Sequence, residues 1–330
     1  MKGKFSENTG HILQNSFLVG LLATVCCFLW GSAFPCVKIG YRLFSIAERE
    51  TGTQILFAGI RFLLAGALTI TVSSIMRKRL LKPKKSSWGM VCKLSLAQTI
   101  FQYLPFYIGL AYISGVKASI IDASNVFFSI LISSLIFHYE KLGKLKILGS
   151  VIGFSGVVLI NLREGAFDGG ISFMGEGFMI LSTISYAFSS VLMKKYGQRE
   201  DPVVLSAYQF ATGGAVMVII GLLMKGELHG FRWQTNLLFL YMALISGVAY
   251  TLWGLLLKYN PVGKITVYGF MIPVFGVILS AVLLKEKNQA FTIQGLLSLA
   301  LVCLGIYIAN KDFSKDTKGV QEGRKVAGAK

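Results

Sequence analysis

Residues 16–41 read SFLVGLLATVCCFLWGSAFPCVKIGY, and the one charge in that run is Lys38. An apolar stretch of roughly 18 residues or more predicts a bilayer crossing. This one is too long for a signal-peptide core, and no clear small-residue cleavage site accompanies it, so it reads as a retained first span. Similar blocks follow at 54–76, 89–112, 116–138, 145–162, 174–194, 202–224, 236–257, 263–284 and 290–310. The expectation is an all-α integral membrane protein with ten transmembrane helices. Composition agrees: 54% of the 330 residues are hydrophobic and 15% charged, against about 25% charged in soluble domains. Mean hydropathy is +0.64. No connecting segment is long enough for a soluble domain.

The net charge of +18 does not point to nucleic acid, because Lys and Arg sit in short segments between apolar blocks. In a ten-span topology 22 basic residues fall on the side of the N-terminus, 8 on the other side, and 3 (Lys38, Arg61 and Lys93) within spans. The positive-inside rule then places both termini in the cytoplasm of a multi-pass cell-membrane protein. The segment 1–15 precedes the first span, and the polar tail 311–330 reads as disordered. The five cysteines have neither metal-ligand spacing nor a disulfide framework, and they read as small buried hydrophobes.

The halves 16–162 and 174–310 resemble each other. Residues 114–156 lie over 260–302 at an offset of 146, which pairs Glu140 with Glu286, Gly149 with Gly295 and Ser134 with Ser280. Trp30 and Lys38 match Tyr186 and Lys194, and Arg61-Phe62 matches Gln209-Phe210. Five spans per half put the second half into the membrane upside down. Two inverted five-helix repeats are a recurrent transporter design, with the substrate site near the midplane between them.

Several motifs sit in order along this frame. They are Trp30-Gly31-Ser32-Ala33-Phe34-Pro35, Arg61-Phe62-Leu63-Leu64-Ala65, Gly247-Val248-Ala249-Tyr250-Thr251-Leu252-Trp253, and Pro273-Val274 followed by Leu284-Lys285-Glu286. Together they resemble the EamA-type branch of the drug/metabolite transporter (DMT) superfamily over residues 16–310. The resemblance implies ten helices in two inverted five-helix repeats, and export or exchange of small metabolites such as amino acids. One departure stands out. Phe127 occupies the place of Pro273, so the fourth helix is expected to lack the break of the ninth.

An ionisable group inside the bilayer costs roughly 3 kcal/mol or more on insertion scales, and it usually faces a cavity or a partner. Three stand out. Lys38 lies near the outer end of span one, where snorkelling and site duty are both open readings. Arg61 is about 10 Å deep in span two, and Asp122 is at similar depth in span four. These two either lock helices two and four as a salt bridge or jointly bind a zwitterion. On span four, Ser119, Asp122, Asn125, Ser129 and Ser133 fall within an arc of about 120°. That stripe reads as the lining of a polar path, against the alternative of interhelical packing. Gln98 and Gln102, at i, i+4 in span three, either line the cavity or bond across helices. Ser32, Trp30, Tyr250, Trp253 and Tyr268 are candidate wall residues, although such aromatics also serve as core fillers and interface anchors. Glu140 and Glu286, at span ends, read as caps or structural partners.

No Gly-x-x-x-x-Gly-Lys-Ser/Thr loop is present, and no cofactor is implied. The expected partners are a small-molecule substrate and the lipid bilayer, with no nucleic acid. Proton coupling would need an intramembrane acid, for which Asp122 is the deep candidate; uncoupled exchange stays open, as does oligomeric state. The reading is a secondary transporter, an exporter of small polar metabolites working by alternating access, with Arg61, Asp122 and Asn125 as substrate or coupling contacts. Rivals are a membrane sensor or scaffold, which would not need the polar stripe, and a membrane-embedded enzyme. The three widely spaced histidines, His11, His138 and His229, argue against an enzyme with a His-rich metal site.

Overall fold

The computed structural model describes residues 15–138, 142–161, 172–260, 265 and 267–311. Most of the N-terminal segment, Glu140 and the tail beyond Lys311 lie outside the described residues. The described chain is helical with no strand. Six helical runs are long and apolar enough to cross a membrane: Ser16–Leu43, Thr51–Met76, Gly115–Ile136, Phe173–Tyr196, Pro202–Leu223 and Trp233–Leu256. Two shorter apolar helices, Tyr268–Leu283 and Ile293–Ala309, accompany them.

The first half opens with α1 (Ser16–Leu43) and α2 (Thr51–Met76). Asn15 caps α1, its side chain accepting from the amides of Phe17 and Leu18 at 3.0 and 3.3 Å. Next come α3 (Trp88–Leu94), a π-helical turn Ser95–Ile100, and α4 (Tyr103–Tyr112). The half continues with α5 (Gly115–Asp122), α6 (Asn125–Leu131) and α7 (Lys144–Asn161).

The second half begins with a π-helical turn at Phe173–Gly177 leading into α8 (Phe178–Tyr196). Then follow α9 (Pro202–Leu223), α10 (Trp233–Tyr259), α11 (Met271–Leu283), the single turn α12 (Lys287–Ala290) and α13 (Ile293–Lys311). Asp201 accepts from the Val203 amide at 2.9 Å and so caps α9, with Pro202 at the first helical position.

Packing runs mainly between the halves. Helix α2 lies along α9, and α7 along α13. Helix α1 packs on α10 and α11, α5 on α11, and α8 on α4 and α6. Glycine sets the closest of these approaches. A Cβ on Gly59 would stand 2.6 Å from the Val218 nitrogen, and one on Gly221 2.7 Å from the Leu56 nitrogen. The α7–α13 pair is built the same way, with Gly149 against the Ala309 nitrogen and Gly305 against the Gly153 nitrogen, both at 2.5 Å. Backbone-to-backbone contact supplies dispersion energy where lipid offers no hydrophobic drive for association.

Candidate substrate-binding site

The fourth helical run is interrupted, contrary to the expectation drawn from Phe127. Helix α5 stops at Asp122, α6 starts at Asn125, and Ala123 and Ser124 turn between them. Here the hydrogen bonding tightens: Ser124 N–H donates to Ile121 C=O at 3.0 Å, Val126 N–H to Ala123 C=O at 3.3 Å, and Phe127 N–H to Ser124 C=O at 3.0 Å. The cause is local side-chain chemistry, since Asp, Ser and Asn all compete with the helix for backbone groups. Ser124 is also drawn sideways, its hydroxyl donating to Thr183 of α8 at 3.3 Å. Phe127 is a buried ring seated against Gly153.

The break also divides the polar stripe. Ser119 is buried, donates to the Val116 carbonyl at 2.9 Å and packs against Gly276 of α11. Ser133 is buried too. Asp122, Asn125 and Ser129 are partly open. The Asn125 amide donates to the Asp122 carboxylate at 3.3 Å, so the two residues flanking the break form one polar unit.

An aromatic cluster joins α1 to α10. Trp30 of α1 meets Tyr250 edge-on at 5.4 Å and Trp253 at 5.1 Å, both from α10. The Tyr250 hydroxyl shares a 3.0 Å hydrogen bond with that of Tyr103. The indole N–H of Trp30 is buried and has no partner. Tyr186 lies on α8, the helix that packs on α4 and α6. Tyr103 and Tyr186 were not singled out for the site in the sequence. A signal existed for Tyr186, because the repeat places it over Trp30. Tyr268 sits nearer the start of α1, its hydroxyl beside Gly20, in an apolar cluster with Trp253.

Arg61 is 2% exposed and does not meet Asp122. It donates to the Met242 carbonyl at 3.1 Å, the Tyr107 hydroxyl at 2.5 Å and the Ser246 hydroxyl at 3.2 Å. The guanidinium carbon stands 4.8 Å from the centroid of the Phe62 ring. It therefore ties α2 to α4 and α10 through neutral partners. Ser32 is turned towards α10, 2.8 Å from the Tyr241 hydroxyl. Gln98 accepts from Gln209 of α9 at 2.5 Å, a bond across helices. Gln102 is buried, its carbonyl oxygen unpartnered. Gln98 lies within the π-helical turn Ser95–Ile100, and Gln102 follows it, just before α4.

Two stretches, residues 18–162 and 173–311, each match the sequence profile of the EamA-like transporter family. The chain belongs to that family. It is thus a multi-pass membrane transporter. Among its curated relatives is the uncharacterized transporter YvbV of Bacillus subtilis (strain 168), 27% identical over 86% of this chain and 90% of that protein. An uncharacterized transporter of Archaeoglobus fulgidus is 29% identical over 87% of this chain and 96% of its own. A protein of Salmonella typhimurium named "Probable amino-acid metabolite efflux pump" is 25% identical over 88% and 93%. One solved crystal structure of a protein superposes with a TM-score of 0.63, covering 91% of this chain and 98% of its own. At 17% identity it speaks for the fold alone.

In this EamA-like transporter the turn between α4 and α5 is gripped from both ends. Lys38 donates to the carbonyls of Leu110 and Ile113 at 3.1 and 2.5 Å, capping the C-terminal end of α4. Glu286 accepts from the amides of Gly115 and Val116 at 3.2 and 3.0 Å, capping α5. Lys117 pairs with Glu176 beside them. The opposite ends of the helices carry a second set of ties. Arg77 pairs with Asp201, and Glu200 accepts from Ser87 at 2.6 Å and from the Lys84 amide at 3.2 Å.

Proposed function

We propose that this transporter exports small polar metabolites, amino acids among them, by alternating access at the Asp122–Asn125 break. The observation that carries the reading is the break itself. An acid bonded to Asn125 stands at an interruption within the apolar helices, and an aromatic cluster joins α1, α4 and α10. Discontinuous helices of this kind bind polar substrates and coupling ions in transporters.

Ten crossings in two inverted five-helix repeats are part of the proposal. It is supported by the packing, in which the principal pairs of helical runs have counterparts in the other half. The first run packs on the ninth as the sixth packs on the fourth, and the first on the eighth as the sixth on the third. Runs two and seven, and five and ten, pair with their own repeat-mates. The proposal extends to a cell-membrane location with both termini cytoplasmic, and to the proton as coupling ion at Asp122.

Asp122→Asn is expected to abolish or strongly reduce efflux from everted vesicles while leaving monodisperse protein in the membrane. Full activity would remove Asp122 from the mechanism. An alkaline phosphatase fusion at Lys330 should be inactive; an active one would refute cytoplasmic termini. Metabolite efflux profiles of overexpressing cells, compared with a deletion strain, would identify the substrate.

A further inference from the structure

We infer that the site selects its substrate by an amine, and that the preferred ligand is a primary ammonium on an apolar or aromatic body with no carboxylate needed. The inference rests on the transport reading only for its meaning; the binding it predicts is independent of flux.

It follows from the sign of the charge the site presents. Three ionisable side chains lie at the relevant depths, and two are occupied. All three guanidinium nitrogens of Arg61 have partners, and the group is buried behind Tyr107. The ammonium of Lys38 is spent on the carbonyls of Leu110 and Ile113. Asp122 differs, since it is partly open and its side-chain partner is the neutral amide of Asn125. Among the described residues, therefore, these three offer one carboxylate and no available cation.

Its surroundings fit the same ligand. An ammonium is attracted to the faces of Trp and Tyr rings as well as to a carboxylate. Trp30, Tyr250 and Trp253 form one connected aromatic group, and the Tyr250 hydroxyl is bonded to that of Tyr103. An aromatic or aliphatic body can pack on these rings while the ammonium donates to Asp122. A ligand carboxylate at the same place would lack a cationic partner among the described residues, which penalises anions outright and zwitterions in part.

The test is calorimetric titration of the full-length protein in nanodiscs with three ligands sharing one ring. Phenethylamine carries the amine, phenylacetate the carboxylate and phenylalanine both. Phenethylamine should bind most tightly, phenylalanine more weakly and phenylacetate at least about tenfold more weakly still than the amine. Asp122→Asn should weaken phenethylamine by about tenfold or more, and Asp122→Glu should restore part of that loss. Phenylacetate binding as tightly as the amine, no binding of phenethylamine at millimolar concentration, or an undiminished Asp122→Asn variant would each overturn the inference. Should Asp122→Asn fail to fold, the comparison of the three ligands on the wild-type chain still decides. Amine binding without flux in vesicles would instead count against the transport reading, and metabolite flux without amine binding against this inference alone.

Discussion

The Tyr107 hydroxyl accepts a hydrogen bond from the Arg61 guanidinium at 2.5 Å, so a buried cation is held by a neutral phenol. The remaining partners are a carbonyl and a serine hydroxyl. Lysine keeps the charge but cannot reproduce this three-way fork. Arg61→Lys should therefore cost about 3 kcal/mol or more, as an under-satisfied buried charge does. Arg61→Met removes the desolvation cost with the charge and should be the milder change. Thermal unfolding of both variants in one detergent checks the order; a tolerated lysine with a worse methionine would contradict it.

The α2–α9 seam has no room for a side chain. Gly59→Leu or Gly221→Leu should leave little folded protein, read as loss of the monodisperse peak on size exclusion. Gly89 has open space where its Cβ would be, and Gly89→Ala should behave as wild type. Equal yields of the seam and control variants would refute the close approach.

Glu286 holds two otherwise orphaned amides at the start of α5. Glu286→Ala should cost about 1 kcal/mol through the lost cap, and Glu286→Gln less, because an amide oxygen still accepts. Hydrogen exchange at Gly115 and Val116 is the local readout, and it should speed up in that order. Unchanged exchange in the alanine variant would argue that water replaces the cap without loss.

Glu200 lies in the connection between α8 and α9. Partial burial alone would raise its pKa, but the Ser87 hydroxyl and the amides of Asp201 and Lys84 outweigh it and hold the carboxyl below its ordinary value. A depressed folded-state pKa gives a contribution present above the unfolded pKa and lost as pH falls through the folded one. The tie to residues 84–87 should therefore hold at neutral pH and loosen only below the ordinary carboxylate range. Exchange at the Lys84 amide, followed against pH, should show this acid-side loosening in wild type and not in Glu200→Gln.

What the sequence made legible follows from what each feature depends on. Uninterrupted apolar runs were readable to within a few residues: the block at 54–76 is α2, and 202–224 is α9. The π-helical turn at Ser95–Ile100 was not, because it coincides with Ser95 and Thr99 reaching the Gln209 carbonyl of α9, a partner more than a hundred residues away. The helix break was written in the sequence as Asp122-Ala123-Ser124-Asn125. It was read as part of a face, where a cluster of turn-forming side chains also signals an interruption. The polar contacts of Arg61 were out of reach, since nothing local says that Tyr107 and Ser246 converge on it. Tyr186 could have been found, because the repeat had already paired it with Trp30.

The glycine seams restrict how this molecule can move. Each half is joined to the other along α2–α9 and again along α7–α13, at distances where backbone meets backbone. Sliding either pair by a fraction of a turn would drive side chains into the opposing main chain. The seams thus act as two fixed pillars, and any change in access has to come from flexing of the helices that stand between them. Helix α5–α6, already jointed beside Asp122, is one of the helices that stand between them.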